Sequence, residues 1–316
     1  MTPGLLSVIL PNYNHSAYVA GQIGAVLGQS YRNIELIVID DASTDNSIAV
    51  IEAAIAGDSR ARLIKYEKNL GVMEQIVKGR ALAQGEFLHY AAADDFVLPG
   101  FFEKSMSMLL QHPQAGVSFA VMAWIDPTGT KAQPMPLRII PQAAYLTPEE
   151  FCEVICGEHI TGHTSIFRVA ALETMDFQCD DFKHVRWLID WFMGSVVACR
   201  TGVCHIPEPL VAIRLMGTNY GQGMYNWNTH KEVVYAVLRL LKSPPYRDVI
   251  SYFARGGLFS NQPFIARAVL ANPEFWDVES MMITQKSMFD WAMERRQKQQ
   301  EHWQPPQPQR PQGFSR

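Results

Sequence analysis

The chain has 316 residues, 48% of them hydrophobic, and a formal net charge of −4. That length suggests two domains, or one large domain with an extension, and offers ample apolar material for a core. The charge balance gives no electrostatic case for nucleic acid, and no stretch approaches the roughly 18 apolar residues of a membrane-spanning helix.

Residues 5–125 alternate strand-like and helix-like segments. Leu5–Leu10 reads as a strand stopped by Pro11. The start, Met-Thr-Pro-Gly-Leu-Leu-Ser-Val-Ile-Leu-Pro, lacks a basic leader segment and reads as that first strand. Ala17–Leu27 has helical spacing, and Ile34–Ile39 is a β-branched run stopped by Asp40-Asp41. Ser43-Thr44-Asp45 then precedes Ile48–Ile55, a plausible capped helix. Arg62–Tyr66 is a third strand, Met73–Ala83 a helix, Phe87–Ala92 a fourth strand, Phe101–Leu110 a helix and Val117–Ile125 a fifth strand. Strands alternating with helices imply a doubly wound α/β structure.

The stretch 126–146, with Pro127, Pro134, Pro136 and Pro141, reads as a loop or flap. Thr147-Pro148-Glu149-Glu150 opens a helix, with Pro at its first position. Thr164–Phe167 is strand-like, Val185–Ala198 is an apolar helix, and Val203–Arg214 holds a turn through Pro207 and Pro209. Residues 229–296 are mostly helical, and the Gln/Pro-rich tail from Gln297 has a disordered composition. Five cysteines (152, 156, 179, 199, 204) form no Cys-x-x-Cys pair, which suggests reduced thiols and a cytoplasmic setting.

The residues with chemistry stand at strand ends, where open α/β sheets bind ligands. Asp94-Asp95 ends the fourth strand abruptly. Two adjacent carboxylates there suit either a divalent cation or a helix N-cap. Pro11-Asn12-Tyr13-Asn14 faces a nucleotide base or makes an ordinary turn. Asp40-Asp41 offers acceptors for a base N–H or a ribose hydroxyl, with Ser43 or Asp45 left to cap the next helix. Asn69-Leu70-Gly71 either admits a ligand to the backbone or ends a turn. Asp190, in Trp187-Leu188-Ile189-Asp190-Trp191-Phe192, is an acid in an apolar stretch, which is costly unless it is paired or functional. Arg186 and Arg214 are its candidate partners. His89 and His205 lie in strand-like runs and read as core groups, as does the Cys152 and Cys156 pair on a helix. His159 and His163 have i, i+4 spacing, but Gly162 between them argues against a helical metal site.

Ser-Val-Ile-Leu-Pro-Asn-Tyr-Asn (7–14), Ile-Glu-Leu-Ile-Val-Ile-Asp-Asp-Ala-Ser-Thr-Asp (34–45), Asn-Leu-Gly (69–71) and Gly-Glu-Phe…Ala-Asp-Asp (85–95) together resemble the N-terminal half of glycosyltransferase family 2. The resemblance runs in order through about residues 5–105, and implies a GT-A type doubly wound mixed sheet flanked by helices, with a helical C-terminal extension. It divides the chain into a GT-A domain (1–225, with 1–125 the nucleotide-sugar half and 126–225 the acceptor half), a helical region (226–296) and a tail (297–316).

The resemblance also implies roles. Pro11, Tyr13 and Asp41 would line the nucleoside pocket, with Asn69 and Gly71 near the base or ribose. Asp94 and Asp95 would bind the ribose and a Mn²⁺ or Mg²⁺ diphosphate. Ala92 stands where the commonest family form has another Asp. Asp190-Trp191…Gly202-Val203…Ile206-Pro207-Glu208-Pro209-Leu210…Arg214 resembles the family segment that supplies the general base, so Asp190 would deprotonate the acceptor. His163 and Trp191 would contact the acceptor, unless Trp191 fills the core.

The expected activity is inverting, metal-dependent transfer of one sugar from a UDP-sugar, or a dTDP-sugar, to a saccharide or lipid-linked saccharide in bacterial surface polysaccharide or glycolipid synthesis. No Gln-x-x-Arg-Trp motif of processive members follows Asp190, and His184-Val185-Arg186-Trp187 precedes it. Nucleotidyl transfer would want a basic, Gly-rich loop after the first strand, and Pro11–His15 has none. The alternative is a non-catalytic nucleotide-sugar or carbohydrate-binding protein on the same scaffold. Arg295, Arg296 and Lys298 with Trp291 and Met293 permit peripheral contact with the inner face of a membrane. The same helices could pack internally or mediate homo-oligomerisation.

Overall fold

The computed structural model describes residues 1–126, 132–134, 140–155, 160, 162–215, 220–260, 262 and 264–302. The strands are β1 (Thr2–Asn12), β2 (Ile34–Asp40), β3 (Ala61–Lys65), β4 (Gly85–Tyr90), β5 (Phe96–Val97), β6 (Val117–Ile125), β7 (Ala132–Pro134), β8 (Ala144–Leu146), β9 (Ser165–Arg168) and β10 (Val203–Arg214). The helices are α1 (Val19–Leu27), α2 (Ser47–Ile55), α3 (Val72–Leu82), α4 (Phe101–Gln111), α5 (Pro148–Ile155), α6 (Val169–Leu172), α7 (Asp180–Lys183), α8 (Ile189–Thr201), α9 (Trp227–Lys242), α10 (Ile250–Arg255), α11 (Ile265–Ala271) and α12 (Val278–His302).

The sheet runs β3-β2-β1-β4-β9-β6-β10-β5. β1 to β4 are mutually parallel where they pair. β9 inserts antiparallel between β4 and β6, and β10 lies parallel to β6. The sheet is therefore mixed, as expected. Chain order reverses between β1 and β4, which places a ligand crevice at their carboxyl ends.

Side-chain alternation feeds two cores, one on each face. Leu6, Val8 and Leu10 of β1 join Val38, Ile23 and Phe102 on one side, while Ile9, Ile39 and Leu88 join Phe192, Val196 and Val237 on the other. Strands buried on both faces explain the unbroken apolar runs. α5 starts with a capping box: the Thr147 N–H donates to Glu150 Oε2 (2.9 Å) and the Glu150 N–H to Thr147 Oγ1 (3.2 Å).

Several expectations need correction. Pro11 does not stop β1; it pairs with Ile39. It lies beyond the last β1–β4 pair, Ile9–Tyr90, so its missing N–H forfeits no bond there. Pro207 and Pro209 make no reversal, because β10 runs through them with irregular register between Ile206 and Val211. The apolar helix starts at Ile189 rather than Val185, because Arg186 takes a left-handed φ of 49° and begins a short 3-10 turn, Arg186–Leu188. The stretch 126–146 contains β7 and β8, which pair with β6 and β10. α12 continues to His302, so the first residues of the Gln/Pro-rich segment are helical; residues 303–316 lie outside the described residues. No helix among the described residues is long and apolar enough to cross a membrane.

Candidate active site

The carboxyl ends of β1 and β2 are knotted together. Asn12 Nδ2 donates to Asp40 Oδ2 (2.8 Å), and Ser43 Oγ donates to the same oxygen (2.6 Å). Asn14, at φ 58°, accepts the Thr44 N–H on Oδ1 (2.8 Å). Ser43 thus serves this knot rather than capping α2. Asp45 Oδ1 accepts the Ser47 N–H just ahead of that helix (2.9 Å). Tyr13 is 41% exposed, and Pro11, close to it in the chain, is half-buried.

Asp41 is fully buried. Its Oδ1 accepts the Leu70 N–H (2.9 Å) and its Oδ2 the Gly71 N–H (2.8 Å). Asp41, expected from sequence to face the nucleoside, also anchors the turn after β3. Asn69 Oδ1 also accepts the Gly71 N–H (3.1 Å). Gly71 has φ 83°, a left-handed conformation that Gly adopts without Cβ strain, and nothing lies within 4 Å of where a Cβ would be.

Asp94 and Asp95 cap no helix, since α4 begins only at Phe101, after Gly100. Asp95 is 4% exposed. Its Oδ1 accepts the Arg214 N–H (2.9 Å). The Arg214 guanidinium donates from Nε to the Asp94 carbonyl (3.1 Å) and from Nη1 to the Asp126 carbonyl (3.3 Å). It lies 4.8 Å from the Tyr18 ring centroid and 5.2 Å from that of Phe96. Arg214, a sequence candidate for pairing with Asp190, thus braces the Asp94-Asp95 turn from the last strand. Burial pushes the Asp95 carboxyl well above the usual carboxylate range, against the nearby imidazole of His163.

Asp190 sits in the first turn of α8. Its Oδ1 accepts the Trp191 N–H (2.8 Å) and its Oδ2 the Gly162 N–H (3.0 Å). Gly162 is required there, because a Cβ would stand 2.6 Å from Asp190 Cβ. The 3-10 turn Gly162–Thr164 brings His163 between the two acids. Its Nδ1 is 4.0 Å from Asp95 Oδ2 and its Nε2 is 4.0 Å from Asp190 Oδ2.

Trp191 corrects one expectation. It is 1% exposed, and its ring meets Phe253 and Phe259 edge-on at 5.9 and 5.2 Å, so it fills the core and does not face an acceptor. His89 and His205 are core groups as expected, hydrogen-bonded to the carbonyls of Ser165 and Ile140. Cys152 is buried in α5, while Cys156, His159 and Thr161 lie outside the described residues.

Sequence reasoning left two contributors without their roles, Arg214 as brace and the Gly162 N–H as anchor. Neither has a local signal beyond its place in a motif. Among the described residues, no three His, Cys, Asp or Glu side chains converge to hold a metal. A buried carboxylate oxygen of Asp95 facing the imidazole nitrogen of His163 still fits Mg²⁺ or Mn²⁺, whose remaining positions go to phosphate oxygens and water.

The sequence model of Glycosyl transferase family 2 matches residues 7–175. EpsE of Bacillus subtilis is 31% identical over 250 residues, 76% of this chain and 84% of that one. An "uncharacterized glycosyltransferase" of Haemophilus influenzae is 39% identical over 112 residues, 35% of this chain and 45% of that one. An Escherichia coli protein, WfgD, is 34% identical over 109 residues, 34% of this chain and 42% of its own length. The chain therefore spans under half the length of the last two. Among solved structures, S. aureus TarS 1-349 in complex with UDP-GlcNAc superposes with a TM-score of 0.63 at 14% identity, covering 95% of this chain and 93% of that one. The mannosyltransferase PcManGT of Pyrobaculum calidifontis, with GDP-Man and Mn²⁺, gives 0.58 at 15% identity, covering 94% and 83%. These likenesses establish the GT-A type fold. Matched over more than half its length, and ordered at its strand ends as that family is, the chain belongs to glycosyl transferase family 2.

Proposed function

We propose that the chain transfers one sugar, with inversion, from a UDP-sugar or dTDP-sugar to a hydroxyl of a saccharide or lipid-linked saccharide. The observation that carries this reading is the convergence of Asp95, from the turn between β4 and β5, and Asp190, from the start of α8, on His163, 4.0 Å from each. The donor would lie over the ends of β1 and β4, with Pro11, Tyr13, Asp41, Asn69 and Gly71 about the nucleoside and Asp94 and Asp95 at the diphosphate. Asp190 would take the acceptor proton as the acceptor oxygen bonds to the anomeric carbon and the bond to the diphosphate breaks. The leaving electron pair departs with the nucleoside diphosphate. Each Asp190 oxygen accepts one backbone N–H, which fixes the carboxylate while leaving each a further lone pair. His163 would orient the base and line the gap between donor and acceptor. A divalent cation, Mn²⁺ or Mg²⁺, held at Asp95 with Asp94 and His163 beside it, would neutralise charge on the leaving diphosphate.

The relatives' descriptions support the substrate class. WfgD is described as a UDP-Glc:alpha-D-GlcNAc-diphosphoundecaprenol beta-1,3-glucosyltransferase, and TarS was crystallised with UDP-GlcNAc. We infer from that class work on a bacterial surface polysaccharide or glycolipid at the inner face of the membrane. The exposed Val278, Met282, Phe289 and Met293 of α12 support peripheral contact there or self-association.

A thermal-shift screen of UDP-, dTDP- and GDP-sugars, with Mn²⁺ or with EDTA, tests the donor class. Metal-dependent stabilisation by a uridine or thymidine nucleotide is expected. Stabilisation by a GDP-sugar alone reassigns the donor, and no shift with any nucleotide overturns the reading.

A further inference from the structure

Trp187 stands one turn ahead of Asp190, in the 3-10 turn Arg186–Leu188. Unlike Trp191, it is only half-buried. Its Nε1 donates to His230 Nδ1 (3.0 Å), which holds the indole in place from α9. A second 3-10 turn, Tyr220–Tyr225, comes six residues after Arg214 and lies against the same ring. Gly223 makes that approach possible: a Cβ there would come within 2.4 Å of the indole. The Tyr220 ring meets Trp187 edge-on at 5.7 Å. Yet Tyr220 is 53% and Tyr225 65% exposed. Arg186 holds a left-handed φ of 49°, a strained conformation for a non-glycine residue, of the kind that clusters at functional sites.

Single exposed aromatics are ordinary on a protein surface. Here two tyrosines share one short turn, braced on a fixed tryptophan that stands one turn ahead of Asp190. We propose that Trp187, Tyr220 and Tyr225 form a saccharide subsite in which the tyrosine rings receive the C–H face of the acceptor sugar and deliver its hydroxyl to Asp190. The negative face of an aromatic ring attracts the polarised C–H bonds of a pyranose, and a wet, half-exposed ring suits a ligand that is apolar on one face and polar at its edges. This subsite rests on the assignment of Asp190 as the acceptor base.

The test is saturation-transfer NMR on the full chain with Mg²⁺, UDP, and the methyl glycosides of glucose, galactose, mannose and N-acetylglucosamine. Tyr220→Ala with Tyr225→Ala, and Tyr220→Phe with Tyr225→Phe, are compared with wild type; both side chains are exposed, and melting curves confirm folding. Ring C–H protons of at least one glycoside should be saturated by wild type. The alanine pair should weaken that binding about tenfold, and the phenylalanine pair should retain it. UDP signals should be equal in all three. A wild type that saturates no glycoside overturns the subsite, as does an alanine pair that binds like wild type or a phenylalanine pair that loses binding. Loss of UDP signals from wild type overturns the donor reading instead, and the glycoside comparison is read independently of it.

Discussion

His163 Nε2 stands 4.0 Å from Asp190 Oδ2, and the neighbouring Gly162 N–H donates to that same oxygen. Asp190, the proposed base, is thus set by a three-residue turn from another part of the chain. Asp190→Asn keeps the shape and removes the basicity. Transfer should fall by about 10²–10⁴-fold, with UDP affinity unchanged. Coupled assays of UDP release beside calorimetric UDP binding read both; a variant that transfers at the wild-type rate sinks the base assignment.

Gly162→Ala tests the position of that base rather than its chemistry. The new methyl would begin 2.6 Å from Asp190 Cβ, an atom rooted in backbone, so the acid must move. A displacement on the order of 1 Å costs about 10²-fold in rate. The drop should appear in kcat, with KM for the donor near wild type. An alanine variant with full kcat would show that α8 gives way without disturbing Asp190.

Asp95 ties stability to function. Burial raises its carboxyl above its ordinary value, so the ionised form is disfavoured in the fold. Its stabilising contribution is present at low pH, below the unfolded value, and is lost as pH rises through the raised value. In EDTA, Asp95→Asn should therefore be more stable than wild type at pH 8, by about 1–2 kcal/mol, and the gap should close toward pH 4. The same variant should lose metal-dependent UDP binding. Urea midpoints across pH check the first outcome, and a gap that does not change with pH removes the argument.

His89 has the opposite sign. Full burial holds its imidazole down to about 4, against a backbone hydrogen bond to Ser165 that favours the charged form. A depressed histidine stabilises the fold above its unfolded value near 6.5 and loses that contribution as pH falls from there toward 4. Its ring proton resonances should not titrate between pH 8 and 5.5. A midpoint near 6.5 would show water reaching the β4–β9 seam.

Two strands of residues 1–125 were legible because their apolar runs end at a pair of acids: Ile39 before Asp40-Asp41, and the Ala91–Ala93 stretch before Asp94-Asp95. What those acids touch was not legible. Asp95 and Arg214 are 119 positions apart, and Asp190 and Gly162 are 28 apart, with nothing local to announce either hydrogen bond. The two tryptophans show the limit most clearly. Trp187 and Trp191 share one apolar stretch, and which of them faces outward depends on where the helix starts. The left-handed backbone at Arg186 delays that start to Ile189, and so turns Trp191 into the core and leaves Trp187 at the rim. The roles of Tyr220 and Tyr225 depend in turn on Gly223 letting their turn lie flat on that rim.

Asp41 accepts the amides of Leu70 and Gly71, one on each carboxylate oxygen. If Asp41 lines the nucleoside pocket as proposed, those two amides report on it. In the free protein their hydrogens exchange with solvent only when the turn after β3 lifts away from a buried anion. A base that displaces them from Asp41 would speed their exchange, whereas a base that uses the remaining lone pairs, or is recognised elsewhere, leaves them slow. Two backbone positions distant from the chemistry thus distinguish a nucleotide that remodels its pocket from one that finds it ready-made.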